Sequence, residues 1–280
     1  MHLLPLLAAV MLTDHPLAGR AWDVQAARFI DAAEVERRIA VADIALLGET
    51  HDNPAHHELQ LKLYRGLVDA GRKPALALEQ LDAENQAAVD AVRAQEGATP
   101  ATLAQAGKVS PGWSWAFYEP LVAVALEHRL PIVAANLSRS RAREGAGART
   151  PAMEEVWNDD RQRTMRALLV ASHCGDDSPM IDAMVDMQRA RDALMAERIA
   201  QAPRPVVAIM GRGHADARLG VPLYLRSRFP QRTLVSVALV EVREGAQTPS
   251  AYSDAASGAH DLVWFTPRAV REDPCAGFKR

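Results

Sequence analysis

A series of short apolar runs, each bounded by breaking residues, constrains this chain most. Residues 41–47, 75–78, 132–135, 206–210 and 234–240 are built mainly of Val, Ile, Leu and Ala. That length and content suit strands buried on both faces. A sixth run, 262–265, reads as an edge strand. Helical patterns lie between them. Asn53 is a plausible N-cap with Pro54 at the first helical position, and Leu59, Leu63 and Leu67 follow at intervals of four until Gly71. Residues 121–129 read as a second helix closed by Pro131. Residues 153–171 and 181–201 read as a helical pair joined by His173-Cys174-Gly175-Asp176-Asp177, and 100–111 as a loop. The alternation predicts an α/β fold with a mostly parallel central sheet flanked by helices and an inserted helical region. An all-α arrangement leaves the Val/Ile/Ala runs unexplained.

The chain has 280 residues, no internal repeat and no long linker. We expect a tail or weak signal over 1–20, an α/β domain over 21–266 with a helical insertion at about 107–201, and a C-terminal tail over 267–280. Hydrophobic residues make up 49 % and aromatics only 5 %, so the core must be largely aliphatic. A net charge of −3, with acids and bases mixed, gives no broad basic surface for nucleic acid or anionic lipid. The arginine clusters at 139–149 and 161–166 read as solvated surface.

The two cysteines, Cys174 and Cys275, exclude a disulfide framework and a cysteine zinc site. One long-range bridge stays open, with Cys275 in an expected loose tail, so cysteine usage does not fix the compartment. Residues 3–12 form an apolar run of signal-peptide length, too short to span a bilayer, which takes about 20 residues. No Lys or Arg precedes it and the cleavage pattern is poor. It reads as a weak export signal, with a frayed tail or first helix as the alternative.

The runs end in polar groups. The first leads into Gly48-Glu49-Thr50-His51, the second into Glu79-Gln80, the third into Asn136, and the fourth into Gly211-Arg212-Gly213-His214. In a parallel sheet these carboxyl ends share one edge, where open α/β folds place their ligands. Glu49, His51, Glu79, Asn136 and His214 are therefore expected to converge. Two carboxylates and two imidazoles suit a divalent metal, or a general acid and base around water. The carboxylates would otherwise repel unless a cation or shared proton intervened. The bland alternative has the glutamates capping helix N-termini and the histidines as loop residues. Gly48 and Gly211 are expected to let the chain turn sharply, and Gly213 to let backbone approach a ligand.

Other signals are weaker. His56 and His57 fall in the first turn of the helix after Asn53, as supporting partners or a solvated start. Met180, Met184, Met187 and Met195 recur at helical spacing, as core or as a wall for a flat apolar ligand. Trp113-Ser114-Trp115-Ala116-Phe117-Tyr118 reads as a packed hairpin or helix start, or as a wall or axial ligand for an aromatic macrocycle. Phosphate-binding loops and the G-x-S-x-G nucleophile motif are absent.

Taken in order, these motifs resemble the ChaN-like family. The resemblance starts with Leu46-Leu47-Gly48-Glu49-Thr50-His51-Asp52-Asn53-Pro54 and His56-His57. Ala77-Leu78-Glu79, then Trp113 to Tyr118, and Ala134-Ala135-Asn136-Leu137 continue it. His173-Cys174-Gly175, Met187-Gln188-Arg189-Ala190-Arg191-Asp192, and Gly211 to His214 with Gly220-Val221-Pro222 complete it. The resemblance implies an α/β core of the Tiki/TraB/erythromycin-esterase superfamily and a haem-binding protein associated with haem and iron uptake. Such proteins are often exported lipoproteins, and this chain shows no lipobox. The implied cofactor is haem, held through tyrosine, for which Tyr118 is the candidate here, and a homodimer sandwiching haem fits the same picture. Other branches are metal-dependent peptidases or esterases. For them the resemblance implies Glu49, His51, Glu79 and His214 as catalytic and metal-binding positions.

Overall fold

The computed structural model describes residues 14–145, 151–256, 258–272 and 275–276. The apolar run at 3–12 and part of the arginine cluster at 139–149 lie outside them. The strands are β1 (Ala21–Asp23), β2 (Arg28–Ile30), β3 (Ile44–Glu49), β4 (Ala75–Asp82), β5 (Ile132–Asn136), β6 (Val206–Gly211), β7 (Leu234–Glu241) and β8 (Leu262–Thr266). They form one sheet in the order β2-β1-β8-β7-β3-β6-β4-β5. From β8 to β5 every pairing is parallel, while β1 pairs antiparallel with both β2 and β8. The run at 262–265 is thus not an edge. Ala21, Trp22 and Asp23 cover its outer side, a strand too short to register as an apolar run.

The first helix, α1 (Ala32–Val41), explains a second departure. Val41 is its last residue and is 69 % exposed, so the run at 41–47 joins a helix end to a strand that starts at Ile44. The expected helix after Asn53 is α2 (Pro54–Asp69). The Asn53 side chain accepts from Ala55 N, and Gly71 takes φ +77° beyond its end. After α3 (Gln86–Arg93) comes α4 (Pro100–Ala106), where a loop was expected. Thr99 and Thr102 close a reciprocal capping box, which holds a helix this short despite its weak apolar pattern. Next are α5 (Glu119–Glu127), then α6 (Arg139–Gly145), α7 (Pro151–Glu155), α8 (Asp159–Ser172) and α9 (Met180–Gln201) between β5 and β6, and finally α10 (Val221–Arg228). The span 107–201 therefore also contains α5 and β5.

The sheet is packed on both faces, and strand alternation decides which face each side chain joins. On β3, Ala45 and Leu47 enter the core formed with α2 and α5, alongside Tyr64 and Leu121. Ile44 and Leu46 enter the opposite core with Met195 of α9 and Tyr224 of α10. Of the methionine stripe, Met195 is core and Met180 is 68 % exposed. Arg189 of α9 is buried, with Glu154 at 2.8 Å and the Trp157 ring at 4.6 Å, and ties α7 to α9.

Where a loose tail is expected, the described residues after Thr266 are anchored at several points. Asn53 Nδ2 donates to Pro267 O, Arg271 pairs with Asp52 and Glu241, and Cys275 is disulfide-bonded to Cys174.

Candidate strand-end site

Glu49 follows Leu47 by two residues, so its side chain falls on the α2/α5 face of the sheet. There Tyr118 OH donates to Glu49 Oε1 at 2.5 Å, and His51 Nδ1 lies 2.8 Å from the same oxygen. His57 Nδ1 approaches Glu49 Oε2 at 3.4 Å, while its Nε2 donates to His51 O. Phe117 stacks on the His57 ring at 4.5 Å. His56 plays a different part. Its Nδ1 accepts from Thr50 N and its Nε2 donates to Thr266 Oγ1, pinning the turn after β3 to the end of β8. Burial keeps it neutral, with a pKa brought down to about 3.

Glu79 falls on the other face. Leu76 and Leu78 point to the α2/α5 core and Ala75 and Ala77 to the α9 core, so Glu79 follows Ala77. A β-bulge between Leu78 and Asp82 ends regular pairing there, a device that re-aims side chains at strand ends. Glu79 Oε2 accepts from Gly211 N at 2.6 Å, and Oε1 lies 3.3 Å from His214 Nε2. The other His214 nitrogen, Nδ1, is 2.5 Å from Asp192 Oδ1 of α9. Burial opposes charge on all three groups. For His214 the two flanking carboxylates outweigh it and raise the pKa to about 10. For Glu79, His214 and the Gly211 amide outweigh it and bring the carboxyl down to about 2. For Asp192 burial prevails, leaving it at about 6.

The expected cluster is therefore two half-sites on opposite faces of the sheet, meeting at Gly211. In the β3–β6 register Glu49 stands opposite Gly211. A Cβ on Gly211 would lie 3.0 Å from the His51 ring and 3.6 Å from Glu79 Oε2. Gly48 is extended strand rather than a turn, and a Cβ there would sit 2.8 Å from Ala215 Cβ. Both glycines are close-approach positions. Gly213 has open space around it.

Three expectations change. The carboxylates do not need a shared cation, because each is matched by its own imidazole across the sheet. Among the described residues no group of three or more His, Cys, Asp or Glu side chains is arranged to hold a metal ion, so the divalent-metal role of Glu49, His51, Glu79 and His214 has no support in this geometry. Asn136 turns its Oδ1 to Leu137 N and closes its own turn. Tyr118, the candidate haem ligand, is fully buried with its hydroxyl given to Glu49. Burial and the Glu49 charge raise its pKa, so the phenol keeps its proton. Asp192 was legible only as part of a motif, because nothing in a helix pattern says which acid faces a distant histidine.

Above the half-sites His51 is the exposed member, with 43 % of its side chain accessible and the Trp113 ring edge-on at 4.7 Å. Its chain neighbour Thr50 lines a cavity of about 650 Å³ together with Tyr252, the arginines Arg212, Arg243, Arg268 and Arg271, and the acids Glu241 and Asp254. Arg212 pairs with Asp254, and Arg271 with Glu241 and Asp52. Among the described residues no carboxylate pairs with Arg243 or Arg268.

The fold and site define an α/β protein of the class that gathers its polar side chains at the carboxyl edge of a parallel sheet. A family model described as haem-binding uptake, Tiki superfamily, ChaN matches residues 35–225. The chain belongs to this family. A solved structure described as cofacial heme binding to ChaN of Campylobacter jejuni is 21 % identical, with a TM-score of 0.75 over 89 % of this chain and 97 % of that one. An erythromycin esterase in its open conformation aligns at 14 % identity and TM-score 0.45 over 93 % of this chain and 86 % of that one. A Bacillus cereus protein aligns at 12 % identity and TM-score 0.46 over 74 % and 68 % respectively. No curated protein sequence matches the chain.

Proposed function

We propose that this chain binds haem at the strand-end mouth and serves haem or iron uptake, in keeping with its family. The observation that carries the reading is the arginine-lined cavity that includes Thr50, the chain neighbour of the exposed His51, which Trp113 meets edge-on. A flat aromatic ligand with carboxylates matches both parts: ring contacts at the mouth, and the exposed Arg268 guanidinium for an acid group, Arg243 being bonded to Ala251 O and stacked on Tyr252. The disulfide between Cys174 and Cys275 supports an exported, oxidising location. A homodimer belongs to the same reading, since the open mouth supplies a wall for one face of the macrocycle. Titration of the purified chain with hemin tests it. A saturable Soret shift is expected, and a strictly linear absorbance increase would sink the proposal.

A second reading, hydrolysis, is favoured by the buried Asp192–His214–Glu79 relay. An imidazole held between two carboxylates is a competent proton carrier. It predicts turnover on an ester and peptide panel that is lost in Glu79→Gln and His214→Ala. No turnover by the parent protein would remove it.

A further inference from the structure

A tyrosinate ligand to haem iron needs a hydroxyl at the surface, and this chain offers none. All four tyrosines are buried. Tyr64 donates to Pro74 O, Tyr118 to Glu49, and Tyr252 to Ala246 O, while the Tyr224 hydroxyl is enclosed beside Arg189. Tyr64 and Tyr224 belong to the two central cores, so exposing either would dismantle the packing against the sheet. The tyrosine mode of attachment does not fit these residues.

The mouth of the site offers a different donor. His51 is anchored through Nδ1 to the buried Glu49 carboxylate at 2.8 Å, and Glu49 is itself held by Tyr118 OH. An imidazole fixed this way presents Nε2, for which no hydrogen-bond partner exists among the described residues. A carboxylate behind the distal ring nitrogen is the arrangement that orients a metal-binding histidine and raises its basicity. Trp113 meets the His51 ring edge-on at 89°, limiting its rotation. The Gly211 backbone packs against the Cε1–Nε2 part of the ring, an approach that glycine permits because a Cβ there would lie 3.0 Å from both atoms. The other imidazoles at this edge are committed. His56 is bonded at both nitrogens, His57 is stacked and faces Glu49, and His214 is enclosed between two carboxylates.

We infer that His51 Nε2 is the axial ligand to haem iron in this chain, with Glu49 as the carboxylate that orients it and Tyr118 as the group that orients Glu49. The inference rests on the haem-binding reading above and specifies its iron ligand. Axial-ligand identity and the hydrogen bond behind it are the two means by which a protein sets haem iron's behaviour, so the assignment has a spectroscopic signature.

The test uses the whole chain loaded with hemin, read by absorption and, after reduction and addition of nitric oxide, by electron paramagnetic resonance. Nitrogen superhyperfine splitting from a trans imidazole is expected in the parent protein, which decides the ligand class without any variant. His51→Ala should lose that splitting and bind hemin at least about 100-fold more weakly, and Glu49→Gln should weaken it by roughly 10–100-fold, the usual effect of removing such a carboxylate. Tyr118→Phe should keep the splitting. Saturable binding without imidazole splitting, or splitting that survives in His51→Ala, overturns the assignment while haem binding stands. Absence of any saturable hemin binding in the parent protein overturns both.

Discussion

His214 and Asp192 lie 22 residues apart in sequence and meet at 2.5 Å inside the protein, one at the end of β6 and the other on α9. Both are buried, and with Glu79 on the far side of the imidazole they make a closed acid–base–acid row. This contact fastens the helices inserted between β5 and β6 to the edge of the sheet.

The row makes stability depend on pH in three windows. Glu79 is held at about 2 against an ordinary 4.5, so its contribution is present above 4.5 and fades as pH falls toward 2. His214 is raised to about 10 from 6.5, so its contribution is complete below 6.5 and drains away as pH climbs toward 10. Asp192 is raised by burial to about 6 from 3.8, which adds a loss of stability as pH climbs through that interval. Urea midpoints measured from pH 3 to 10 should therefore be greatest near pH 4 and decline again between 6.5 and 10. In His214→Gln the alkaline decline should flatten, and an unchanged decline would reject the account.

Removing Asp192 should be costly. Asp192→Ala leaves a buried imidazole with one carboxylate and an empty position, a change that typically costs about 3–5 kcal/mol when a buried ion pair is broken. Equilibrium denaturation reads this directly. A loss under about 1 kcal/mol would mean that the pair is not held together in solution.

The Cys174–Cys275 bond closes a loop of 101 residues around the strands that complete the sheet. Disulfides typically contribute about 2–4 kcal/mol, and the unfolded-chain entropy removed by a loop of this size is about 4.7 kcal/mol. Reduction, or the Cys174→Ser variant, should lower the melting temperature by several degrees and make the segment after Thr266 sensitive to protease. Identical melting curves with and without reductant would contradict this.

Two glycines separate fold from site. Gly48→Ala would drive a Cβ to 2.8 Å from Ala215 Cβ and 3.0 Å from the Arg212 backbone, overpacking of a kind that costs about 1–3 kcal/mol. Gly211→Ala instead presses on the His51 ring, which Glu49 and Trp113 hold at the surface rather than in the core. It should leave the denaturation midpoint nearly unchanged while weakening hemin binding. Equal loss of stability in both variants would show that the His51 ring cannot yield.

The arginine cavity gives a prediction of its own. Arg268→Ala, at an exposed guanidinium without a carboxylate partner, should weaken hemin binding several-fold and make it less sensitive to salt. The dimethyl ester of hemin should bind the parent protein and this variant alike. An ester bound as tightly as hemin would remove the carboxylates from the recognition.

Much of this architecture is written locally. Apolar runs of strand length, the Asn53-Pro54 helix start and the polar residues that follow β3, β4 and β6 need only short-range sterics, hydrogen bonding and burial, so pattern alone reveals the parallel sheet and the edge where its site lies. The rest depends on contacts far apart in sequence. Alternation puts Glu49 and Glu79 on opposite faces, but only the pairing of β3 with β6, which stands Glu49 opposite Gly211, and the packing of α9 give each its own imidazole instead of a shared ion. Tyr118 drew attention as an aromatic near a ligand mouth. Packing of α5 against α2 and β4 turns its hydroxyl inward to Glu49, and His51 stays outside. Strand alternation is a property of the chain, whereas the partner waiting on each face is a property of the folded whole.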